Sequence, residues 1–338
     1  MRVGLSLGHS RPLGQLRDLV RRAEAAGVDS VWVSEAYGTD AVSVLGYLAG
    51  HTETMRLGAA VLQMPARTPA NTAMTAMTLD ELSGGRLLLG LGSSGPQVVQ
   101  GWHGLPFDAP LARTREYVAI VRAAIAREQP LTHHGRYYQI PYRGPSGEPT
   151  ARPLKASIRP VRERVPIYLA ANGPRSIALT AEIADGWLPA FYSPTRPDVY
   201  TDALAAGLAS RGPALAALDL VATVHLAVGD DLDACRDALR PAFALYLGAM
   251  GSRENNFYTE LAGRLGYEAQ AREVQSLYLD GHRAAASAAV PAALIDELAL
   301  IGPVARIRDR LQLWSGAVDA VTLKTDEIPL VEQLIAYL

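Results

Sequence analysis

The sequence predicts an α/β protein: a single (β/α)8 TIM barrel over residues 1–338, with insertions after the fourth strand and before the eighth. Three observations predict it. Short apolar, β-branched runs alternate with stretches of helical period, and eight such units can be counted. Three units carry the same echo, in "AAGVDSVWV", "EIADGWLPA" and "SGAVDAVTL": helix end, small residue, Asp, apolar strand. A chain of 338 residues with 49% hydrophobic content also suits one closed barrel and its core.

The units follow in order. Val3–Leu7 is the first strand, followed by Leu13, Leu16, Val20 and Ala23 at helical spacing up to a stop at Gly27. Ser30–Ser34 is an unbroken apolar strand, as expected where both faces are buried. A helix runs from Asp40 to about Ala49, and Met55–Gln63 is the third strand. The next helix opens near Pro69 and closes at Gly84-Gly85. "LLLGLG" from Leu87 is the fourth strand, and Asp108 with Pro110 starts a helix to about Arg127. Pro166–Ala171, "GWLPAFY" from Gly186, Leu220–Val228 and Ala320–Lys324 complete the eight. Gln129–Val165, rich in Pro, Gly and Arg, reads as one insertion, and Arg236–Gly302 reads as a second, helical one.

Composition removes several function classes. The net charge of −2 gives no electrostatic reason to expect nucleic acid or an anionic membrane as partner. No run reaches the roughly 20 apolar residues that span a bilayer. "RVGLSL" is cut by "GHSRP" too early for a signal peptide, so a cytoplasmic protein is expected. The single Cys235 excludes an internal disulfide and a multi-cysteine metal site. His133-His134 lacks a third ligand at metal spacing and reads as a solvated loop, so no metal is expected.

Gly90-Leu91-Gly92-Ser93-Ser94-Gly95 fits the dinucleotide pattern G-x-G-x-x-G. Its context does not. A further turn, "GWHG", follows Pro96, and the acid at the right offset, Glu116, sits within a helical run rather than at a strand end. Two readings stay open: a plain tight turn, or a barrel-strand terminus where a flat ligand or phosphate approaches the backbone. His103, beside Trp102, reads first as a loop histidine with a packed Trp and second as a group facing substrate.

Four blocks carry a family likeness: "VWVSEAYGTDA" at Val31–Ala41, the long run Arg56–Gly104 containing "LDELSGGRLLLGLG", "PIYLAANGPRSIALTAEIADGWLP" from Pro166, and "LIGPVARIRDRL" from Leu300. The chain resembles the luciferase-like flavin and deazaflavin oxidoreductases. Within them it is similar to the branch that uses coenzyme F420, such as methylenetetrahydromethanopterin reductase.

The resemblance implies hydride transfer between the deazaflavin and a small-molecule substrate at the C-terminal ends of the strands. It implies a cis peptide at Ala60-Val61 beneath the ring, a polar contact from Gln63, a pocket lined by Gly92, Ser93 and Ser94, and a phosphate at the turn Ala171-Asn172-Gly173. Backbone N–H groups free at that last turn would suit a phosphate. Glu35 ends the second strand, where barrel catalytic groups sit. It is the candidate proton donor or acceptor, ring contact, or strand-end brace. Related enzymes often carry a histidine beside this position, and here Ala36 and Tyr37 follow instead. Ser6 stands where reductase-like relatives carry an acid.

The arginines of the first insertion (Arg136, Arg143, Arg152, Arg159, Arg162, Arg164), with Lys155, read as a solvated face or as partners of the cofactor's anionic tail. A homodimer is expected through "AVSVLGYLAG" and "ANTAMTAMTL", whose small residues allow close helix approach. Two other readings compete: an FMN-dependent monooxygenase of the same superfamily, and a cofactor-free binding or partner subunit.

Overall fold

The computed structural model describes residues 1–8, 13–254 and 256–338. Most of the "GHSRP" stretch, residues 9–12, lies outside the described residues. The strands are β1 (Arg2–Leu7), β2 (Ser30–Val33), β3 (Arg56–Ala59), β4 (Leu62–Gln63), β5 (Leu87–Gly92), β6 (His133–His134), β7 (Gln139–Ile140), β8 (Ile167–Ala170), β9 (Gly186–Leu188), β10 (Asp219–Val228), β11 (Ala299–Gly302) and β12 (Ala320–Lys324). All pairings in the main sheet are parallel, in the order β12-β1-β2-β3-β5-β8-β9. The sheet closes because β10 pairs β9 at Asp219↔Gly186 and β12 at Val221↔Ala320. The result is an eight-stranded barrel wrapped by helices.

Every second strand residue turns into the barrel. Trp32, Leu88, Tyr168, Leu188, Val221 and Ala320 form one buried cluster in the lumen, and this cluster fixes the phase of the strands around it. Trp32 and Tyr168 meet edge to face with ring centroids 5.2 Å apart, an arrangement worth about 0.5–1.5 kcal/mol beyond area burial. Below them Arg2, Arg56, Asp29 and Asp219 form an ionic plug, and the Tyr168 hydroxyl donates to Asp219 at 2.6 Å.

Three elements depart from the sequence reading. The third strand is two pieces, β3 and β4, and the Ala60-Val61 peptide between them is cis, as the family resemblance implies. Pro96 opens a short helix, Pro96–Gly101, ahead of the "GWHG" turn, where the sequence reading has no element. The second insertion is not all helix: β11 pairs β10 along His225–Val228. There it covers the β10 edge that β9 leaves after Leu220.

The two insertions lie at opposite ends of the barrel. The first connects a helix to the start of β8, so it belongs to the N-terminal face, away from the strand ends that carry barrel active sites. Arg162 ion-pairs with Asp80, whose side chain is fully buried, and also donates to the Leu87 carbonyl at the start of β5. Arg164 pairs with Asp185, just before β9. Arg162 and Arg164 are therefore structural clips on the underside of the barrel. His133 is also not a solvated loop residue. It contacts Glu116 at 3.2 Å, and Glu116 in turn accepts the N–H groups of Arg136, Tyr137 and Tyr138. Burial alone would raise the Glu116 pKa, but those backbone donors hold it below its ordinary value.

Candidate functional site at the C-terminal mouth

The side chains that follow the lumen cluster toward the strand ends are unequal. On one side they are small: Gly92 after Leu88, Ala170 after Tyr168 and Ala190 after Leu188, with Ala60 and Val61 partly exposed against the same cluster. Ala170 is exposed although the rest of β8 is buried, so the mouth is open above it. On the other side stand His225 on β10 and Lys324 on β12, partners in the parallel register. Beneath them Thr223 and Thr322 join at 2.9 Å through their hydroxyls.

The glycines of the opening motif make this floor possible. A Cβ at Gly90 would stand 1.7 Å from the Ala59 carbonyl oxygen, and one at Gly92 would stand 2.6 Å from Val61 Cγ2. Both glycines let β5 lie against the bulge. Two glycines of the motif therefore serve strand-to-strand approach.

Gln63, buried to 4% exposure, clasps three loops. Its Nε2 donates to the Ala36 carbonyl at 2.7 Å, and its Oε1 accepts from the Ser94 hydroxyl at 3.2 Å. His103 Nε2 lies 3.1 Å from the same oxygen. Ser94 adopts φ +60, a left-handed conformation uncommon outside glycine, in making this contact. Ser93 turns its hydroxyl to the Ser94 carbonyl at 3.3 Å. Trp102 is exposed rather than packed, and it is His103 that faces inward.

Glu35 is 7% exposed at its side chain and accepts four donors. Arg67 grips it bidentately at 2.6 and 2.8 Å, Gln63 N–H donates at 3.2 Å and Ala41 N–H at 3.3 Å. Arg67 also reaches Asp40 at 2.9 Å. The hydrogen bond to Glu35, more than burial, sets the Arg67 pKa, which is raised. A carboxylate so engaged has its acceptor positions taken up by the protein. These contacts tie the end of β2 to the loop that carries Arg67. Arg67 and Asp40 complete the cluster, and no motif in the sequence marks them as its partners.

After β8 the turn is also more occupied than expected. Ala171 is buried, and its carbonyl accepts from Trp187 Nε1 at 2.9 Å. Asn172 Oδ1 accepts from Ala190 N–H at 3.2 Å, and its carbonyl accepts from Arg264. Gly173 N–H, expected to be free, donates to Ser176 Oγ at 3.1 Å, while the Ser176 hydroxyl donates to the Gly173 carbonyl at 2.8 Å. The helix Pro174–Ile183 thus caps its own first turn.

Arg264 comes from the second insertion, on the mouth side. Its Nε is buried without a partner among the described residues, and burial lowers its pKa. Arg253 and Arg272 line the same hollow, together with Glu254, Glu260 and Glu268. No group of three or more His, Cys, Asp or Glu side chains able to hold a metal ion occurs among the described residues. Among them no helix is long and apolar enough to cross a membrane.

The comparisons with known proteins agree with this architecture. The family model described as luciferase-like monooxygenase matches residues 1–319. A Mycobacterium tuberculosis protein, named as a candidate coenzyme F420-dependent oxidoreductase, is 42% identical over 94% of this chain and 92% of its own. The 5,10-methylenetetrahydromethanopterin reductase of Archaeoglobus fulgidus is 32% identical over 71% of this chain and 68% of its own. Among solved structures, the coenzyme F420-dependent tetrahydromethanopterin reductase of Methanopyrus kandleri superposes with a TM-score of 0.81 at 22% identity, covering 98% of this chain and 97% of that one. An F420-dependent secondary alcohol dehydrogenase, solved with an F420-acetone adduct, gives 0.76 at 18% identity over 99% and 98%. At these identities the two structures speak to the fold.

Proposed function

The chain belongs to the luciferase-like monooxygenase family, and from that premise we propose that it is a coenzyme F420-dependent oxidoreductase acting on a small organic molecule. The observation that carries the reading is the open floor of small residues, Ala60, Gly92, Ala170 and Ala190, on which a flat tricyclic ring can lie. When bound, the deazaflavin supplies hydride transfer at its C5 atom.

The rest of the work belongs to this chain. Ala60, Val61 and Gly92 would support the ring from below, and Ser93 and Ser94 would border it. Gln63 holds the three surrounding loops in one register through its bonds to Ala36, Ser94 and His103. Glu35 and Arg67 hold Gln63 in turn, which makes Glu35 a positioning residue. Ala171, Asn172 and Gly173 shape the rim, and Asn172 presents Arg264. The orphaned Nε of Arg264 fits an anionic phosphate or carboxylate of the cofactor's side chain, because a buried guanidinium nitrogen left unpaired is costly.

The test is a titration of the purified protein with F420 and with FMN, followed by absorbance and fluorescence. The proposal expects saturable F420 binding and weaker or no FMN binding. Micromolar FMN binding without F420 binding would assign the protein to the flavin monooxygenases. Binding of neither would leave a partner subunit.

A further inference from the structure

The small floor takes up one side of the mouth, and the other side is built for something else. His225 is 7% exposed, and its imidazole makes no hydrogen bond among the described residues. The ammonium of its register partner Lys324 makes no ion pair or hydrogen bond among them either. Both side chains follow the inward phase set by Val221 and Ala320, two steps up the strands. Lys324 reaches across the end of β1, with its Cε 4.0 Å from where a Cβ on Gly8 would stand. It meets water at the mouth, yet the protein around it lowers its pKa.

Behind this pair stands an aromatic wall. The His225 ring lies 5.5 Å from Phe243 and 6.3 Å from Tyr246 between centroids. Tyr246 packs on Tyr258 at 4.9 Å and on Phe191 at 5.3 Å.

A buried polar group without a partner, beside an unpaired ammonium, is the arrangement expected where a bound molecule completes the hydrogen bonding. We propose that His225 and Lys324 anchor the substrate by a carboxylate, with its apolar body against Tyr246. The ammonium provides the charge, the imidazole N–H provides a second donor, and the aromatic wall selects a flat or cyclic carbon skeleton. The cofactor's anionic chain has its own cation, Arg264, beside Asn172 on the β8 side, so the two anions do not compete. The inference deepens the proposed function, since it takes the mouth as the place of reaction. Binding at the anchor does not itself require F420.

Benzoate serves as the probe and benzamide as its uncharged isostere. Imidazole resonances are followed by two-dimensional NMR, with His225→Gln assigning the signal among the seven histidines. The titrations are made with and without saturating F420. Benzoate is expected to shift the His225 resonances saturably and benzamide to bind at least tenfold more weakly. Lys324→Met should weaken benzoate at least tenfold, and Lys324→Arg should restore most of the binding. The proposal is overturned if benzoate leaves the His225 signal unmoved, if benzamide binds equally well, or if Lys324→Met binds benzoate like the parent. Benzoate binding without any F420 binding would refute the cofactor assignment and leave the anchor standing.

Discussion

Gly90 and Ala59 face one another across the barrel wall so closely that the smallest side chain on Gly90 would enter the Ala59 carbonyl oxygen, at 1.7 Å. The neighbouring pair, Gly92 and Val61, is tight in a softer way, because the atom met at 2.6 Å is a side-chain methyl.

The two glycines are therefore expected to respond differently. Gly90→Ala must displace backbone and should cost about 3 kcal/mol or more, the upper end of overpacking penalties. Gly92→Ala can be met by a shift of Val61 and should cost only about 1–2 kcal/mol. Because Val61 is part of the floor, Gly92→Ala should still weaken F420 binding about tenfold. Denaturant melts and a cofactor titration on both variants check this. Equal melts for the two would contradict the backbone clash.

Glu35→Gln should behave as the loss of one partner from a buried ion pair. Such losses cost about 3–5 kcal/mol. The low end is expected here, because Arg67 keeps Asp40. Removing both charges, as Glu35→Gln with Arg67→Met, should be less damaging than the sum of the single changes. A double-mutant cycle by urea unfolding measures the coupling. A single variant that keeps full stability but loses turnover would return Glu35 to the role of proton carrier.

His225 gives the fold a pH dependence of predictable sign. Burial first, and then the charge of Lys324, push its pKa from 6.5 down to about 3. The native state therefore keeps it neutral while the unfolded chain takes up a proton. Its contribution is complete above about pH 6.5 and is lost as the pH falls toward 3, with a slope of up to about 1.4 kcal/mol per pH unit. His225→Gln, which cannot titrate, should show a flatter stability profile between pH 6 and pH 4. Urea melts across that range should differ in slope by close to one proton.

We expect a homodimer through the helices Ala41–Ala49 and Pro69–Leu82. Tyr47, Met74 and Leu82 are large apolar side chains exposed on them. Met74→Lys with Leu82→Lys should turn the dimer into a monomer in light scattering, with far-ultraviolet circular dichroism unchanged. A parent protein that is already monomeric at micromolar concentration would refute the interface.

The sequence by itself determined the barrel. Eight apolar segments that alternate with stretches of helical period, though unevenly spaced, admit few other closed arrangements, and period and turn chemistry are local properties. The family likeness placed Ala60-Val61, Gln63 and the β5 loop at the strand ends, because those residues sit in contiguous blocks. Tertiary structure alone decided what they touch. Gln63 meets Ser94 and His103, 31 and 40 residues away, and Glu35 meets Arg67, 32 residues away. No local pattern encodes such pairs. The arginines of the first insertion and Arg264 look alike in sequence. Only closure of the barrel, which puts helix-to-strand connections at one end and strand-to-helix connections at the other, places the former underneath and the latter at the mouth. His225 and Lys324 are 99 positions apart, and they became neighbours only when β10 paired with β12.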